Sequence, residues 1–276
     1  MITRLLCAGL AGLIVARFLN KCIYRLPRDL SVVRPPSYCP HCSVAIAWFD
    51  NIPVISYLRL RGRCRKCRQR IAVRYLLVEI LVPALYMYYV SAFGASLHAL
   101  KYCLFSAILV TLTFTGIEER ILPDEFTLGG AVVGLVFSWF VSPDASRSAG
   151  TAAGLSGLGY SLSGALIPSA GLWLVAWLYR KKRGREGLGF GDIKMLAMIG
   201  AFIGLGGAAL TVPIWFLLCL IVGGSLILLS RKDPSTYELP TGPMWSIAAL
   251  VAATAPPARW LWTGMNAWWA WLLGHF

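Results

Sequence analysis

Acidic side chains are scarce in this sequence: 12 Asp and Glu stand against 26 Lys and Arg in 276 residues. Charged residues of both signs make up only 14% of the chain, while 58% is hydrophobic. A soluble domain of this length needs far more polar surface, so that class is excluded. No internal repeat is visible, which removes the usual signature of a transporter. No dinucleotide fingerprint is present either. Gly187, Gly189 and Gly191 alternate with apolar residues, but no strand precedes them and the spacing fails. A soluble methyltransferase fingerprint is also missing. No small-residue cleavage site convincingly precedes Lys21–Arg28, so "LLCAGLAGLIVARFLN" reads as a transmembrane helix rather than a signal peptide.

What the sequence has is long uncharged runs, at roughly 5–16, 76–97, 102–117, 126–142, 148–179, 195–230 and 244–258. A helix needs about 20 apolar residues to cross a bilayer. The 195–230 run is long enough for two passes, with a break expected at "GLGG", Gly204–Gly207. The expected fold is an all-α polytopic membrane protein with about eight transmembrane helices, because only helices or closed barrels satisfy the backbone in lipid.

The net charge of +14 suggests a nucleic-acid binder until its positions are read. Twelve of the 26 basic residues lie between Lys21 and Arg74, and five more lie in "RKKRGR", Arg180–Arg185. Lys and Arg concentrate in cytoplasmic loops. Placing both clusters inside puts the N-terminus outside, 21–75 in the cytosol, and Glu118–Asp124, 180–192 and Arg231–Lys232 on the cytosolic face. Orientation, with added contact to anionic membrane lipid, explains the asymmetry, and no nucleic-acid partner is required. The expected organisation is a first helix over 1–23, a cytoplasmic module over 24–75 and a membrane domain of about seven helices over 76–276.

The cytoplasmic module holds "CPHC" and "CRKC". Cys39, Cys42, Cys64 and Cys67 form two Cys-x-x-Cys pairs separated by 21 residues. Such pairs supply four thiolates to one tetrahedral zinc. The reducing cytosol favours metal over the alternative of two disulfides. His41 is expected to point away from the metal. Cys7, Cys22, Cys103 and Cys219 are read as apolar packing residues.

Ionisable groups near membrane segments are functional candidates by default. Glu79 either pairs with a basic residue such as Arg74 or has a functional role. Asp192, after "GLGFG", offers a carboxylate at a helix mouth or serves as that helix's N-cap. Lys194 either offsets its charge or snorkels. In "FTGIEERILPDEFTL", Glu118, Glu119 and Arg120 form an inner-face turn, and Asp124 after Pro123 begins the next helix. Two carboxylates sharing a proton can activate water and protonate a leaving amine, and Asp192 lacks an obvious buried partner.

Four stretches resemble the type IV prepilin peptidase family almost end to end. They are "RFLNKCIYRLP", the four-cysteine segment through "RYLLVEIL", "GFGDIKML" and "LPTGPMWSIAAL". The resemblance implies an inner-membrane aspartic endopeptidase of bacteria. It would cut the basic leader from prepilins or type II secretion pseudopilins on the cytosolic side. It would then N-methylate the new terminus with S-adenosylmethionine. It also implies that Asp192 is one catalytic aspartate and that position 116 should hold the other, eight residues before Asp124. Here that residue is Gly116, which can hold neither the shared proton nor the water. Three readings stay open: a deliberate inactivating substitution, a natural loss of proteolysis, or Glu118 reaching in from two residues on. Residues two apart do not share a helix face, which disfavours the third. The rival classes are a non-catalytic scaffold that binds prepilins or assembly partners, and a transporter.

Overall fold

A computed structural model describes residues 1–34, 37–141, 154–184, 189–225 and 241–254. Arg185, the last residue of "RKKRGR", and the expected inner loop at Arg231–Lys232 lie outside the described residues. The long helices are α1 (Ile2–Arg25), α3 (Val73–Phe93), α4 (Leu97–Glu118), α5 (Asp124–Phe140), α6 (Gly154–Arg183), α7 (Phe190–Leu218) and α8 (Thr241–Thr254). A short helix α2 (Ile55–Arg59) lies in the cysteine module. Five stretches are long and apolar enough to cross a membrane: Ile2–Arg28, Val73–Phe93, Leu97–Glu118, Gly154–Arg183 and Phe190–Gly223. The chain forms two compact units, Met1–Pro123 and Asp124–Phe276.

In the first unit, α1 packs on α3, and α4 packs on both. One face of α1 turns Ala8, Gly12, Ala16, Leu19 and Ile23 inward. Leu6, Leu10, Ile14 and Phe18 form an exposed stripe at every fourth position. That spacing places them on one helical face, as lipid contact requires. A Cβ added to Gly12 would lie 2.6 Å from the Cα of Pro83, so α1 and α3 cross with their backbones nearly touching. α3 ends at Gly94, with φ of 67°, and Ser96 then caps α4 by accepting from the Ala99 N–H at 3.2 Å. Within α4 the hydroxyls of Ser106, Thr111 and Thr115 donate back to carbonyls three or four residues earlier. Their polarity is thus satisfied inside the helix.

In the second unit, α7 packs against α5, α6 and α8. The expected break at "GLGG" is present, and it is a reversal. Thr241 reaches Asp192 at 2.7 Å, and Cys219 Sγ lies 3.4 Å from Met244 Sδ. Thr241 and Met244 are about one turn apart on α8. A straight helix would hold residues 192 and 219 about 40 Å apart. α7 therefore folds back at Gly204, where φ is 73°, into arms over 190–203 and 205–218. Tyr160 of α6 braces the turn, its hydroxyl oxygen accepting from the Gly206 N–H at 3.2 Å. The first arm is only about 21 Å long, shorter than a bilayer core of roughly 30 Å. Counting the arms separately, the described residues hold eight long apolar helical segments. Of these, α5 has 17 residues and α8 has 14.

α6 and the first arm of α7 meet through glycine. A Cβ on Gly200 would stand 2.0 Å from the carbonyl oxygen of Gly164, and one on Gly164 would stand 2.4 Å from Gly204 C. Neither helix can yield without moving its backbone. Gly200→Val is expected to destabilise the protein by about 1–3 kcal/mol, as overpacking does. Thermal unfolding in detergent checks this, and an unchanged midpoint would show that the crossing has slack.

Candidate functional site

The cysteine module is built from two matching knuckles. Cys39 N–H donates to Val44 O at 3.0 Å and Ser43 N–H to Cys39 O at 2.8 Å. Twenty-five residues later, Cys64 N–H donates to Gln69 O at 2.9 Å and Arg68 N–H to Cys64 O at 3.0 Å. In both, the residue after the second cysteine takes positive φ, 54° at Ser43 and 59° at Arg68. The knuckles bring Cys39, Cys42, Cys64 and Cys67 together, with all four sulfurs within 4.8 Å of one another. Cys39 and Cys67 are 3.8 Å apart. A tetrahedron with Zn–S of about 2.3 Å has S–S edges of about 3.8 Å, so the cluster fits a zinc ion. Donation from the backbone N–H of Cys67, aided by that of Lys66, holds the Cys64 thiol down at about 7. This favours a thiolate at Cys64, whereas at Cys67 the backbone bond from Gln69 is outweighed by desolvation and the neighbouring thiols, which push that thiol up to about 11. Arg65, inside the second knuckle, grips Asp50 with Nε and Nη2. That fork holds the Asp50 carboxyl below its usual range. His41 is exposed and outside the sulfur cluster, as expected. Of the remaining cysteines, Cys22 and Cys103 are buried, but Cys7 is exposed on α1 and is not a packing residue.

Gly116 is buried in the last turn of α4, in the first unit. Glu118, two residues on, has its Oε1 2.8 Å from Arg74 Nε. Glu119 pairs with Arg28. Both glutamates are therefore spent on the ends of neighbouring helices. Glu79 does not pair with Arg74. Its Oε2 accepts from the Val54 N–H at 2.7 Å instead, because the short α2 segment folds onto α3 there.

Asp192 lies in the first turn of α7, in the second unit, and is only 5% exposed. It is not the N-cap. Gly189 occupies that position without a side-chain bond, and the Asp192 side chain turns into the unit. There Thr241, which opens α8, donates its hydroxyl to Oδ1 at 2.7 Å. A Cβ on Gly189 would lie 3.7 Å from Oδ2, an ordinary van der Waals contact, so the backbone before α7 runs close past that oxygen. Lys194 does not offset Asp192. It donates to both oxygens of Asp124, at 2.7 and 2.9 Å, and so ties the starts of α5 and α7. Thr241 does not stand out in the sequence, although the "LPTGP" segment that carries it does. A hydroxyl at the start of a helix after a proline is the signal that points to it.

The first unit also contains a cavity of about 520 Å³, between the cysteine module and the adjoining ends of α1 and α3. Two buried side chains in its wall carry unpaired atoms: Asn20, 4% exposed, and Arg74, 7% exposed. Asn20 Nδ2 donates to Tyr75 O at 3.1 Å and Arg74 Nη2 to the Tyr75 hydroxyl at 3.2 Å. Asn20 Oδ1 and Arg74 Nη1 have no hydrogen-bond partner among the described residues. The signal for Asn20 in the sequence is slight: a single polar residue at the end of the first apolar run.

Comparisons with known proteins divide the chain at a different place, before α4 rather than after it. Residues 10–93, which hold all four clustered cysteines, match the bacterial peptidase A24 N-terminal domain. Residues 103–224, which hold Gly116 and Asp192, match the type IV leader peptidase family. The chain is 33% identical to a prepilin leader peptidase/N-methyltransferase of Pseudomonas putida, over 89% of this chain and 88% of that protein. It is 34% identical to the protein of the same name from Stutzerimonas stutzeri, over 90% and 89%. With that from Myxococcus xanthus it shares 35% identity over 91% of this chain and 69% of the relative. No solved structure matches.

Proposed function

Because the chain belongs to the type IV leader peptidase family, we propose that it handles prepilins or pseudopilins at the cytosolic face of a bacterial inner membrane. It removes their basic leader as an aspartic endopeptidase and methylates the new N-terminus. The apolar helical segments lie in that membrane, with the N-terminus outside and the cysteine module in the cytosol. The clustering of Lys and Arg around the module and after α6 supports this orientation. The module takes one structural zinc. A closed four-thiolate site leaves no position for substrate, so the metal holds the fold and does no chemistry.

The observation that carries the peptidase reading is Asp192: a buried carboxylate at a helix mouth, oriented by the Thr241 hydroxyl on Oδ1. In an aspartate pair, the ionised partner takes a proton from water as it attacks the scissile carbonyl. The protonated partner gives its proton to the leaving amine. This chain supplies one half of that pair, and Gly116 leaves the other half empty. Cleavage by this sequence is therefore slow, and prepilin binding persists.

S-adenosylmethionine, when bound, would supply the methyl group for the new N-terminal amine. The chain's own part is to hold the donor and present the amine.

Incubating membranes with a synthetic prepilin and S-adenosylmethionine, read by mass, tests the reading. Leader loss in a Gly116→Asp background supports the enzyme. Binding without leader loss in that background supports the scaffold, and neither supports the transporter. In the same background, Thr241→Val is expected to lower cleavage roughly ten- to a hundredfold, the worth of a hydrogen bond to a charged group. Because Thr241 positions Asp192, kcat should fall with little change in KM.

A further inference from the structure

We propose that the two stems of the cysteine module clamp the end of α4, so that Arg74, acting through Glu118, and Arg28, acting through Glu119, are positioning residues for the side chain at 116. This rests on the peptidase reading above and adds the groups that hold one half of the catalytic pair in place.

Chain order is the first argument. Arg28 closes the short turn Leu26–Arg28, by which the chain leaves α1 for the module. Arg74 is the second residue of α3, to which the chain returns. The module's last internal bond, from Ile71 N–H to Gly62 O at 2.7 Å, stands only three residues before it. The arginine at the entrance takes Glu119 and the arginine at the exit takes Glu118. Both glutamates follow Gly116 directly, so the end of α4 is held from α1 and from α3 at once. Electrostatics is the second argument. Two acids at the last turn of a helix lie against the negative end of its dipole and loosen the turn when unpaired. α4 has no basic residue of its own in that turn, so the compensating charges come from the module's stems. The turn is closed: Glu119 N–H donates to Thr115 O at 2.9 Å, and Arg120 then leaves the helix with φ of 55°. Preorganisation is the third argument. Arg74 is 7% exposed, with Nε 2.8 Å from Glu118 Oε1, Nη2 donating to the Tyr75 hydroxyl at 3.2 Å, and its guanidinium 4.6 Å over the Tyr75 ring. Asn20 of α1 in turn donates to Tyr75 O at 3.1 Å. Arg28 donates to Tyr24 O at 2.7 Å and lies 4.4 Å over the Tyr24 ring. Each arginine is thus oriented by a tyrosine as well as by a glutamate. A catalytic side chain needs its carrier held to within about 0.5 Å, which supports of this kind provide. The Arg28–Glu119 pair is the more exposed of the two, so salt screens it more and Arg74 carries the larger share.

The test uses the full-length chain in nanodiscs with Gly116→Asp in place, and a synthetic prepilin followed by mass. Adding Arg74→Gln or Glu118→Gln should each lower kcat roughly ten- to a hundredfold and change KM less than about twofold, as a misplaced catalytic group does. The exchanged pair, Arg74→Glu with Glu118→Arg, should cut at least about threefold faster than either of its substitutions alone, because the two sites are coupled. Arg28→Gln should cost only about two- to fivefold, and that difference should vanish near 1 M salt. In the unaltered chain, Arg74→Gln should speed hydrogen exchange over 112–121 at least about fivefold and leave 97–108 unchanged. A general loss of stability would speed both stretches and would not be rescued by the exchanged pair. Unchanged kcat in both Gln variants, or an exchanged pair no faster than its single substitutions, would overturn the clamp while cleavage by the Gly116→Asp chain leaves the peptidase reading standing. If the Gly116→Asp chain does not cut, the peptidase reading falls and the positioning role falls with it.

Discussion

Gly116→Asp should raise the rate of prepilin cleavage by on the order of a thousandfold or more, because members of a cooperating catalytic pair act as a unit. The present chain has a carboxylate at 192 and only hydrogen at 116. Position 116 is a helical residue in the last turn of α4, so aspartate is compatible with the backbone there. An acid in that last turn opposes the helix dipole, at a cost of about 0.3–1 kcal/mol, small beside the catalytic gain. The adjacent acids do not compensate, because Glu118 is held by Arg74 and Glu119 by Arg28. Asp192→Ala in the Gly116→Asp background should abolish cleavage. A synthetic prepilin followed as a mass shift reads all three chains. If the unaltered chain already cuts and Gly116→Asp changes nothing, the assignment of a paired aspartate to 116 is wrong.

Replacing Cys64 and Cys67 with serine should take zinc from about one per chain to none and unfold the module over 26–72. Among the described residues there, only Cys39, Ser56 and Gly62 are buried. The module has almost no apolar interior, and hydrophobic burial cannot hold it. What holds it is the paired knuckles, the Arg65–Asp50 fork and, in the function proposed above, the metal. Structural zinc contributes on the order of 10 kcal/mol to folding in comparable small sites. Its loss should expose the chain between Arg59 and Arg70 to trypsin while α1, α3 and α4 stay protected by packing. Metal analysis and limited proteolysis of purified protein measure both effects. A wild-type chain that carries no zinc and four reactive thiols would refute the metal site.

Local features are legible in the residues themselves. Two Cys-x-x-Cys pairs identify a four-thiolate site because a metal accepts few spacings, and all four sulfurs do converge. Pro123–Asp124 begins a helix and "GLGG" breaks one, since proline and glycine act on their own backbone. Partner choice is not legible in the same way. Lys194 lies two residues from Asp192 in sequence yet pairs with Asp124, 70 residues away. Glu79 and Arg74 are five apart and do not meet, because α2 fills the space at Glu79 and Glu118 arrives at Arg74 from α4.

From the sequence alone came the all-helical membrane class, the four-cysteine cluster and the oddity of glycine at 116. These depend on composition and short-range spacing, which each segment carries by itself. Tertiary structure alone decided that α7 doubles back at Gly204, that Thr241 orients Asp192, and that Arg74 meets Glu118. Such facts arise where helices distant in the chain come within a few ångströms. At that range the winner among competing partners is set by how backbones pack, as at Gly164 and Gly200, and not by which residues are neighbours in sequence.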